Sequence, residues 1–286
     1  MKLLSFTVGT RASWGMLAGD AVVDLGSALP QYATLADFIG SRDFRNRDEI
    51  ARGLKPDLAL EAISYLPAIP RPEKIVCVVR NYLDHHQEAL AQGLKREITE
   101  FPPIFLRVWR SQVGHGAPVI RPKVSTQLDW EGELAVVIGK GGRHIAEDEA
   151  LDHVAGYSIY NDVSVRDYQR HAQQIAAGKN FVGTGPFGPW LVTTDEVPDP
   201  HKLRLRTFLN GDTVQSSDTS HLIFKIPRLI SYASTIFDLV PGDVIATGTP
   251  AGVGFARKPP IFMKPGDVIE VEIEHLGVLR NPVIDE

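Results

Sequence analysis

A single cysteine, Cys77, occurs among the 286 residues of this sequence. One thiol cannot form an internal disulfide, and it excludes a zinc site built from several cysteines. Cys77 lies in the apolar segment 75–79, which predicts a buried thiol on a strand rather than a nucleophile. The scarcity of cysteine agrees with a reducing compartment.

Long apolar runs and an excess of basic residues are also missing. No run approaches the ~18 apolar residues of a membrane-spanning helix, and the N-terminal segment 1–8 is too short for the apolar core of a signal peptide. The formal net charge is −5 and the isoelectric point is about 6.0. This balance provides no basic surface for nucleic acid or an anionic membrane. We therefore expect a cytoplasmic protein with neither of these partners.

Three familiar motifs are missing as well. The sequence has no Gly-x-Ser-x-Gly nucleophile elbow and no His-Glu-x-x-His zinc motif. The glycine-rich segment 248–254 lacks the Lys and Ser/Thr of a P-loop, which argues against nucleotide binding. Any chemistry must therefore lie in other residues.

The order of apolar runs and turn signals indicates a β-rich α+β protein with few helices. Strands are predicted over 130–138, 154–161, 244–246 and 268–273, and short apolar runs predict an antiparallel meander at the N-terminus. A stretch containing Pro67, Pro70 and Pro72 predicts an extended connector. We place a domain boundary there, which gives a small N-terminal domain over 1–68 and a main domain over 69–286.

The most informative segment is 128–139, where two carboxylates stand two positions apart inside an apolar run. On a strand, alternate residues share a face, so Glu131 and Glu133 are expected about 7 Å apart, with Trp130 and Leu134 on the opposite face. Two like charges beside a core are unfavourable unless one carboxyl is protonated or a cation lies between them. A hard divalent cation would satisfy both.

Asp162 is a candidate for a third ligand. It follows the apolar run 154–160 and precedes Ser164, which the pattern predicts as the N-cap of a helix. Mg²⁺ is commonly held by a few carboxylates, with water and substrate completing its octahedron. Glu131, Glu133 and Asp162 would form that set. The alternative is that Asp162 only turns the chain and that the two glutamates line a solvated edge.

A second group of polar residues predicts a short helix. Asp84 and Gln87 match a capping box, and Gly93 marks a helix end. On that helix His85 and Glu88 are three residues apart and share a face. A carboxylate orients an imidazole and raises its basicity, which suits the activation of water. The alternative is an ordinary pair on an exposed helix.

Two further features lie near these groups in the pattern. The polar stretch 93–100 predicts a mobile lid. Lys179, within the segment 178–181, is a candidate cation for a substrate carboxylate or a developing enolate. It is equally consistent with a solvated lysine.

Together these segments resemble the fumarylacetoacetate hydrolase family. The resemblance covers roughly residues 69–286, and its motifs occur in order along that span. They are Asn81 and Tyr82 with His85 and Glu88, the paired glutamates within 129–139, the segment 161–169 with Asp162 and Gln169, the segment 178–181, and the Pro-Gly-Asp and Thr-Gly-Thr-Pro segments within 241–254.

The resemblance implies a mixed β-roll catalytic domain, a small N-terminal domain and a homodimer. It implies that Glu131, Glu133 and Asp162 bind Mg²⁺, or alternatively Mn²⁺ or Ca²⁺. The metal would chelate the 2-oxo acid end of a small-molecule substrate.

The same resemblance suggests roles for the remaining candidates. His85 and Glu88 would activate water or shuttle a proton, and Lys179 would stabilise developing negative charge. Gln169, Lys179 and Thr249 would hold the oxygens of the substrate.

From this we expect a divalent-metal-dependent hydrolase that cleaves a C–C bond in a 2,4-dioxo acid of the acylpyruvate or fumarylpyruvate type. One alternative is an isomerase, decarboxylase or dehydratase of a related 2-oxo acid on the same fold. Another is a metal-binding protein without catalysis, against which the intact His85, Glu88 and Lys179 argue.

Two places depart from the common pattern of the family. Val182 stands where an aspartate is usual, and the segment 107–109 replaces a Lys-Pro stretch. Arg107 would still meet a substrate carboxylate through its fork geometry, while Trp109 would either narrow the pocket or belong to the core. We expect these changes to affect the substrate rather than the metal.

Overall fold

The computed structural model describes residues 1–91, 93 and 97–286. Strands dominate these residues. In chain order they are β1 (Lys2–Val8), β2 (Arg11–Ala18), β3 (Ala21–Val23), β4 (Leu58–Ala59), β5 (Ser64–Tyr65), β6 (Ile75–Val78), β7 (Ile104–Arg107), β8 (Gln112–Val113), β9 (Val119–Arg121), β10 (Leu128–Asp129), β11 (Gly132–Ile138), β12 (Val154–Asn161), β13 (Ser164–Val165), β14 (Gly185–Thr193), β15 (Arg204–Leu209), β16 (Asp212–Asp218), β17 (Val244–Ala246), β18 (Val268–Ile273) and β19 (Gly277–Asp285).

The helices are short. The α-helices are α1 (Leu25–Ala28), α2 (Leu35–Ile39), α3 (Arg47–Ala51), α4 (Leu83–Ala91), α5 (Arg166–Gln169) and α6 (Ile226–Ile236). Single 3-10 turns cover Arg42–Asn46, Leu60–Ala62, Trp109–Ser111, Ala150–His153, Ile175–Lys179, Thr194–Glu196, Thr219–His221 and Gly254–Ala256. Within the described residues, no helix is both long and apolar enough to cross a membrane.

Twelve strands form the largest sheet, and ten of them follow the order β4-β3-β2-β1-β14-β12-β11-β17-β6-β7. The N-terminal meander joins this sheet through the antiparallel pairing of β1 with β14. The division into domains at residue 68 stays a prediction. A second sheet of five strands has the order β16-β15-β18-β19-β9, and β10 pairs with β13 alone.

Strand β11 is buried on both of its faces. Leu134 and Val136 belong to a core shared with the five-stranded sheet and α6, whereas Ala135 and Val137 belong to a core shared with α2 and the meander. A strand covered on both sides has an unbroken apolar sequence rather than an alternating one. The same burial removes from water the carboxylates of Glu131 and Glu133 at the start of this run.

Several predicted elements are confirmed. β12, β17 and β18 have the predicted bounds, and the β-rich α+β class is confirmed. Cys77 is buried in β6, and this burial raises the pKa of its thiol well above the usual value. A neutral buried thiol agrees with the structural role predicted for it.

The predicted strand over 130–138 is wrong at its start. β10 ends at Asp129 and β11 begins at Gly132, so Glu131 lies in the connection between them. Trp130 packs in a separate core with Met263, and not with Leu134. The reason is that β10 pairs with β13, whereas β11 pairs with β12.

Both predicted capping boxes in the main domain are also wrong. Ser164 lies in β13, and its hydroxyl donates to Glu131 Oε1 at 3.1 Å while the N-cap of α5 is Val165. Helix α4 begins at Leu83, so Asp84 lies in its first turn, where its carboxylate accepts the N–H of His85. Both side chains have tertiary contacts instead, Ser164 with Glu131 and Asp84 with the Ser217 hydroxyl at 3.0 Å. The lid predicted over 93–100 includes residues 94–96, which lie outside the described residues.

Candidate active site

The acidic residues meet because two neighbouring antiparallel strands end at the same edge of the sheet. In the register of β11 with β12, Gly132 lies opposite Asn161. Glu131 immediately precedes β11 and Asp162 immediately follows β12, and the Asp162 N–H donates to the Glu131 carbonyl at 2.8 Å. One carboxylate oxygen each from Glu131, Glu133 and Asp162 lie within 4.8 Å of one another.

Three buried cations surround this triad. Lys179 Nζ lies 2.6 Å from Asp162 Oδ2 and 2.8 Å from Glu131 Oε2. Arg166 Nη1 lies 2.6 Å from Glu131 Oε1, and Arg107 Nη1 lies 2.6 Å from Asp162 Oδ1. Burial disfavours the charged form of Lys179, but Asp162 and Glu131 outweigh it and raise the pKa of the ammonium. Lys179 is therefore protonated at neutral pH.

The three carboxylates differ in their electrostatic environment. Burial opposes ionisation of Glu131, but Lys179 and Arg166 outweigh it and lower the pKa of this carboxyl. For Glu133, burial together with Asp162 and Glu131 raises the pKa well above its usual value. Among the described residues Glu133 forms no ion pair, and Oε2 accepts only the Gly248 N–H at 2.8 Å.

The donor set fits a divalent cation. Asp129, which pairs with Arg166 at 2.7 Å, joins the triad to give four buried carboxylates beside three buried cations. One negative charge is therefore uncompensated locally, and burial together with this excess charge raises the pKa of Glu133. Oxygen-only ligands of this kind suit hard divalent ions. The triad supplies such ligands for one divalent metal, as the sequence predicts.

The predicted His–Glu pair is formed on α4. His85 Nδ1 lies 2.9 Å from Glu88 Oε2, and the Gly252 N–H donates to Glu88 Oε1 at 2.9 Å. Asn81 fixes the start of the helix beside the end of β17, because its Nδ2 donates to the Thr247 carbonyl at 2.8 Å. The His85 imidazole therefore has one orientation.

A cavity of about 200 Å³ joins these groups. Six of the nine predicted site residues line it: His85, Glu131, Asp162, Gln169, Lys179 and Thr249. Glu88 and Glu133 are not among the lining residues, although Glu88 is hydrogen-bonded to His85 and Glu133 belongs to the triad. Arg107 is fully buried and holds Asp162 from the far side, so its predicted contact with substrate stays a prediction.

Arg166 was missed by the sequence analysis as a site residue. It lines the cavity, and its Nε and Nη1 pair with Asp129 and Glu131. Its Nη2 is buried and has no hydrogen-bond partner among the residues that the structure describes. The sequence could have indicated Arg166 as a site residue by its place four residues after Asp162. Only the fold shows that its Nη2 has no partner among the described residues.

The two departures from the family pattern lie away from the cavity. Val182 is 69% exposed, and Trp109 stacks between the guanidinium groups of Arg71 and Arg110 at 5.0 and 4.6 Å. Neither residue lines the cavity. Trp109 packs against the core that holds α2 and the meander, which is one of the two places expected for it. The effect of the departures on the substrate stays a prediction.

The fold brings an acidic triad that suits a divalent metal into one cavity with a histidine that is hydrogen-bonded to a glutamate. Residues 74–284 match the family described as "Fumarylacetoacetate (FAA) hydrolase C-terminal". The chain therefore belongs to the fumarylacetoacetate hydrolase family, and the resemblance noted in the sequence is confirmed.

Relatives in this family have several activities. The chain is 47% identical over 229 residues to the mitochondrial oxaloacetate tautomerase fahd2 of Xenopus laevis, covering 79% of this chain and 70% of that one. The maleylpyruvate hydrolase of Sphingobium sp. SYK-6, solved with manganese(II) and pyruvate, is 30% identical with a TM-score of 0.81, covering 100% and 99% of the two chains. The 5-carboxymethyl-2-hydroxymuconate delta-isomerase of Mycobacterium smegmatis is 31% identical with a TM-score of 0.78 over 100% of both chains.

Proposed function

We propose that this protein is a divalent-metal-dependent hydrolase that cleaves a C–C bond in a 2,4-dioxo acid of the acylpyruvate type. The observation that carries the proposal is the His85–Glu88 pair in the same cavity as the acidic triad. Binding a 2-oxo acid requires only the metal ligands. Hydrolysis also requires a base that activates water, and His85 is suitably held for that task.

The substrate's 2-oxo acid end would lie beside the triad. When bound by Glu131, Glu133 and Asp162, a divalent metal supplies Lewis-acid polarisation of the 2-oxo group. Arg166 lines the cavity, and its Nη2 has no hydrogen-bond partner among the described residues, so it would donate to the substrate carboxylate. Gln169 and Thr249 line the same cavity. The amide of Gln169 would donate to a substrate oxygen, whereas the Thr249 hydroxyl donates to the Gly132 carbonyl at 3.0 Å and would exchange that bond for one to the substrate.

The His–Glu pair would act on water. Because Nδ1 of His85 is engaged by Glu88, Nε2 is the nitrogen that accepts a proton from water. The water oxygen adds to the distal carbonyl carbon, the C3–C4 bond breaks, and its electron pair passes to the 2-oxo oxygen. The protonated Lys179 stabilises that charge. A proton returned to C3 completes the pyruvate product, and the distal part leaves as a carboxylic acid.

Keto–enol tautomerisation is the second candidate. It is favoured by the 47% identity to an oxaloacetate tautomerase. That reaction needs one proton transfer at C3 and no attack by water, and His85 would also serve it. The predicted homodimer, the cytoplasmic location and the choice of Mg²⁺ over Mn²⁺ stay predictions.

Product analysis distinguishes the two candidates. The protein is incubated with Mg²⁺ or Mn²⁺ and either acetylpyruvate or enol-oxaloacetate, and the products are followed by NMR. Hydrolysis yields pyruvate and acetate from acetylpyruvate, whereas tautomerisation converts enol to keto with the carbon skeleton intact. Absence of cleavage across a series of 2,4-dioxo acids would refute the hydrolase. Undiminished turnover by Glu131→Ala or His85→Ala would refute the assigned site.

A further inference from the structure

One buried amide joins the five-stranded sheet to the site. Gln215 lies in β16, at the edge of that sheet, and it is 2% exposed. Its Nε2 donates to the Thr249 hydroxyl and to the Pro250 carbonyl, each at 2.9 Å. Its Oε1 accepts the Gly132 N–H at 3.0 Å and the Thr207 hydroxyl at 2.8 Å. Both donors and both acceptor positions of the amide are therefore occupied.

These partners give the amide a single orientation. The Gly132 N–H can only donate and the Pro250 carbonyl can only accept, so the oxygen of Gln215 faces the first and its nitrogen faces the second. The Thr249 oxygen consequently accepts a proton from Gln215, and its own proton goes to the Gly132 carbonyl at 3.0 Å. When that proton turns to a substrate oxygen, the bond from Gln215 still holds Oγ1 in place.

An irregularity in β16 brings this strand to the site. The register with β15 shifts at Val214, which is an extra residue immediately before Gln215. Bulges of this kind are frequent next to active sites, where they redirect a side chain. The Val214 carbonyl accepts Arg257 Nη2 at 2.6 Å, and a Cβ on Gly252 would lie 2.2 Å from the oxygen of that carbonyl. The bulge is therefore in direct contact with the glycine-rich segment 248–254.

That glycine-rich segment donates three backbone N–H groups to carboxylates around the site. The pairs are Gly248 with Glu133 at 2.8 Å, Gly252 with Glu88 at 2.9 Å and Gly254 with Asp129 at 2.7 Å. The segment is thus fixed relative to both the triad and the His–Glu pair. Thr249 lies within it, and Gln215 binds the Thr249 hydroxyl from outside the segment.

We propose that Gln215 is a positioning residue that holds the Thr249 hydroxyl where it can bind a substrate oxygen. Gln215 acts through Thr249, since it is not among the residues that line the cavity. This rests on the proposed function, in which Thr249 binds an oxygen of the 2,4-dioxo acid. The same amide binds the N–H of Gly132, which lies between Glu131 and Glu133. One side chain therefore sets the position of a substrate-binding hydroxyl relative to two metal ligands.

A double-mutant cycle tests whether Gln215 acts through Thr249. Calorimetry measures the binding of acetylpyruvate to the Mg²⁺-loaded His85→Ala variant, which should bind this substrate without cleaving it. In that variant, Gln215→Met is expected to weaken binding about 10-fold. When Thr249→Val is also present, Gln215→Met should weaken binding by less than about threefold, because no hydroxyl is left to position. Effects that do not pass through Thr249 occur in both halves of the cycle and cancel.

Thr207→Val is the matched control. Thr207 is fully buried, and its hydroxyl donates to Gln215 rather than to Thr249. Valine has nearly the same shape, so Thr207→Val should lower the unfolding temperature through the lost hydrogen bond and change binding by less than about twofold. If Gln215→Met does not fold, Gln215→Glu replaces it in the cycle. Glutamate keeps the acceptor for the Gly132 N–H and loses the donor to Thr249, and the effect of its charge cancels.

The outcomes separate this role from the proposed function. Equal loss of affinity from the Gln215 substitution with and without the Thr249 hydroxyl, or no loss in either, overturns the role of Gln215. A loss in Thr207→Val as large as that in Gln215→Met does the same. If the loss depends on Thr249 but the protein with His85 intact cleaves no 2,4-dioxo acid, the hydrolase proposal fails and the role of Gln215 stands. If acetylpyruvate is cleaved and the losses are independent, only the proposal for Gln215 fails.

Discussion

His85 Nδ1 and Glu88 Oε2 form a 2.9 Å hydrogen bond across one turn of α4. The other oxygen of Glu88 accepts the Gly252 N–H, so the carboxylate is held from both sides. His85 is 6% exposed, and its ring lines the cavity of the acidic triad. An imidazole with one nitrogen bound to a carboxylate presents its other nitrogen as a base.

Removal of this base is expected to slow turnover strongly. We expect His85→Ala to lower kcat by about 10²- to 10⁴-fold, since a positioned general base contributes that much. Glu88→Gln keeps the shape and an acceptor for the Nδ1 proton of His85, so its loss should be smaller. Steady-state kinetics on the cleaved substrate measure both. Gln87→Ala, exposed on the same helix, is the control, and an equal loss in it would contradict the assignment.

Metal removal is expected to lower stability in a way that depends on Glu133. A ligand that binds only the folded state stabilises it by about 2.7 kcal/mol at one hundred times its Kd. Treatment with a chelator should therefore lower the unfolding temperature, and Mg²⁺ or Mn²⁺ should restore it. In Glu133→Gln, the fall in unfolding temperature with chelator and its recovery with metal should both be smaller, because one ligand charge is lost. Calorimetry measures the shifts, with the exposed Glu149→Gln as control. Full metal-induced stabilisation in Glu133→Gln would show that the triad is not the site.

The sequence predicted those features that depend on local pattern. β12 is a continuous apolar run ended by Asp162, and its bounds were predicted because burial on both faces leaves an unambiguous segment. Glu131 and Glu133 were predicted as a pair from their spacing of two on one strand, and Asp162 as a third ligand from its place after the run 154–160. The roles of Glu131 and Asp162 followed from that placement and from the resemblance to a family.

Other features depend on contacts between distant segments. The break between β10 and β11 arises because β13 pairs with one and β12 with the other. Ser164 resembled a helix cap, but its hydroxyl is bound to Glu131. The Nη2 of Arg166, which has no partner among the described residues, and the left-handed backbone of Arg80, with φ of +51°, are set by tertiary packing. No spacing rule in the sequence contains that information.

Gly248 is expected to tolerate no side chain. Its φ is +104°, and a Cβ there would lie 2.8 Å from the Cβ of Asn81. We expect Gly248→Ala to lower the free energy of unfolding by about 2–5 kcal/mol, from backbone strain together with overpacking. Gly9 also has a positive φ, +55°, but a Cβ there meets nothing within 4 Å. Gly9→Ala should therefore lose only about 1 kcal/mol from strain. Equal losses in chemical denaturation would exclude the collision with Asn81.

Asp24 is expected to make stability dependent on acid pH. Burial opposes its ionisation, but hydrogen bonds from Ser13, Arg11 and Ser27 outweigh it and lower the pKa of the carboxyl below 3.8. A lowered folded-state pKa gives stability that is fully present above the unfolded value. That stability is lost as pH falls through the folded value. We expect Asp24→Asn to cost about 1–3 kcal/mol at pH 7 and progressively less as the pH falls below about 4.

Urea denaturation of both proteins at a series of pH values measures this difference. Asp20→Asn, on the exposed turn before β3, is the control and should show no such trend. A constant difference between Asp24→Asn and the unaltered protein from pH 7 to about 3 would mean that the charge of Asp24 is not the stabilising feature.

Arg107 is expected to support Asp162, and its predicted contact with substrate is tested beside that role. Its guanidinium donates to Asp162 Oδ1 at 2.6 Å, to Thr184 Oγ1 at 2.9 Å and to the Val163 carbonyl at 3.1 Å. Breaking a buried ion pair costs about 3–5 kcal/mol, so Arg107→Met should lower the free energy of unfolding by that amount. Because a divalent cation also compensates the charge of Asp162, saturating Mg²⁺ should stabilise this variant more than the unaltered protein.

Arg107→Lys distinguishes the two roles, because lysine keeps the charge at Asp162 but loses the planar fork. If Arg107 only supports Asp162, Arg107→Lys should retain part of the stability and show a KM close to that of the unaltered protein. A KM raised about tenfold with stability retained would mean that the guanidinium contacts the substrate carboxylate directly. Arg110→Met, at an exposed position three residues along the chain, controls for the loss of a nearby positive charge. The expected order of unfolding free energies is unaltered protein and Arg110→Met highest, then Arg107→Lys, then Arg107→Met.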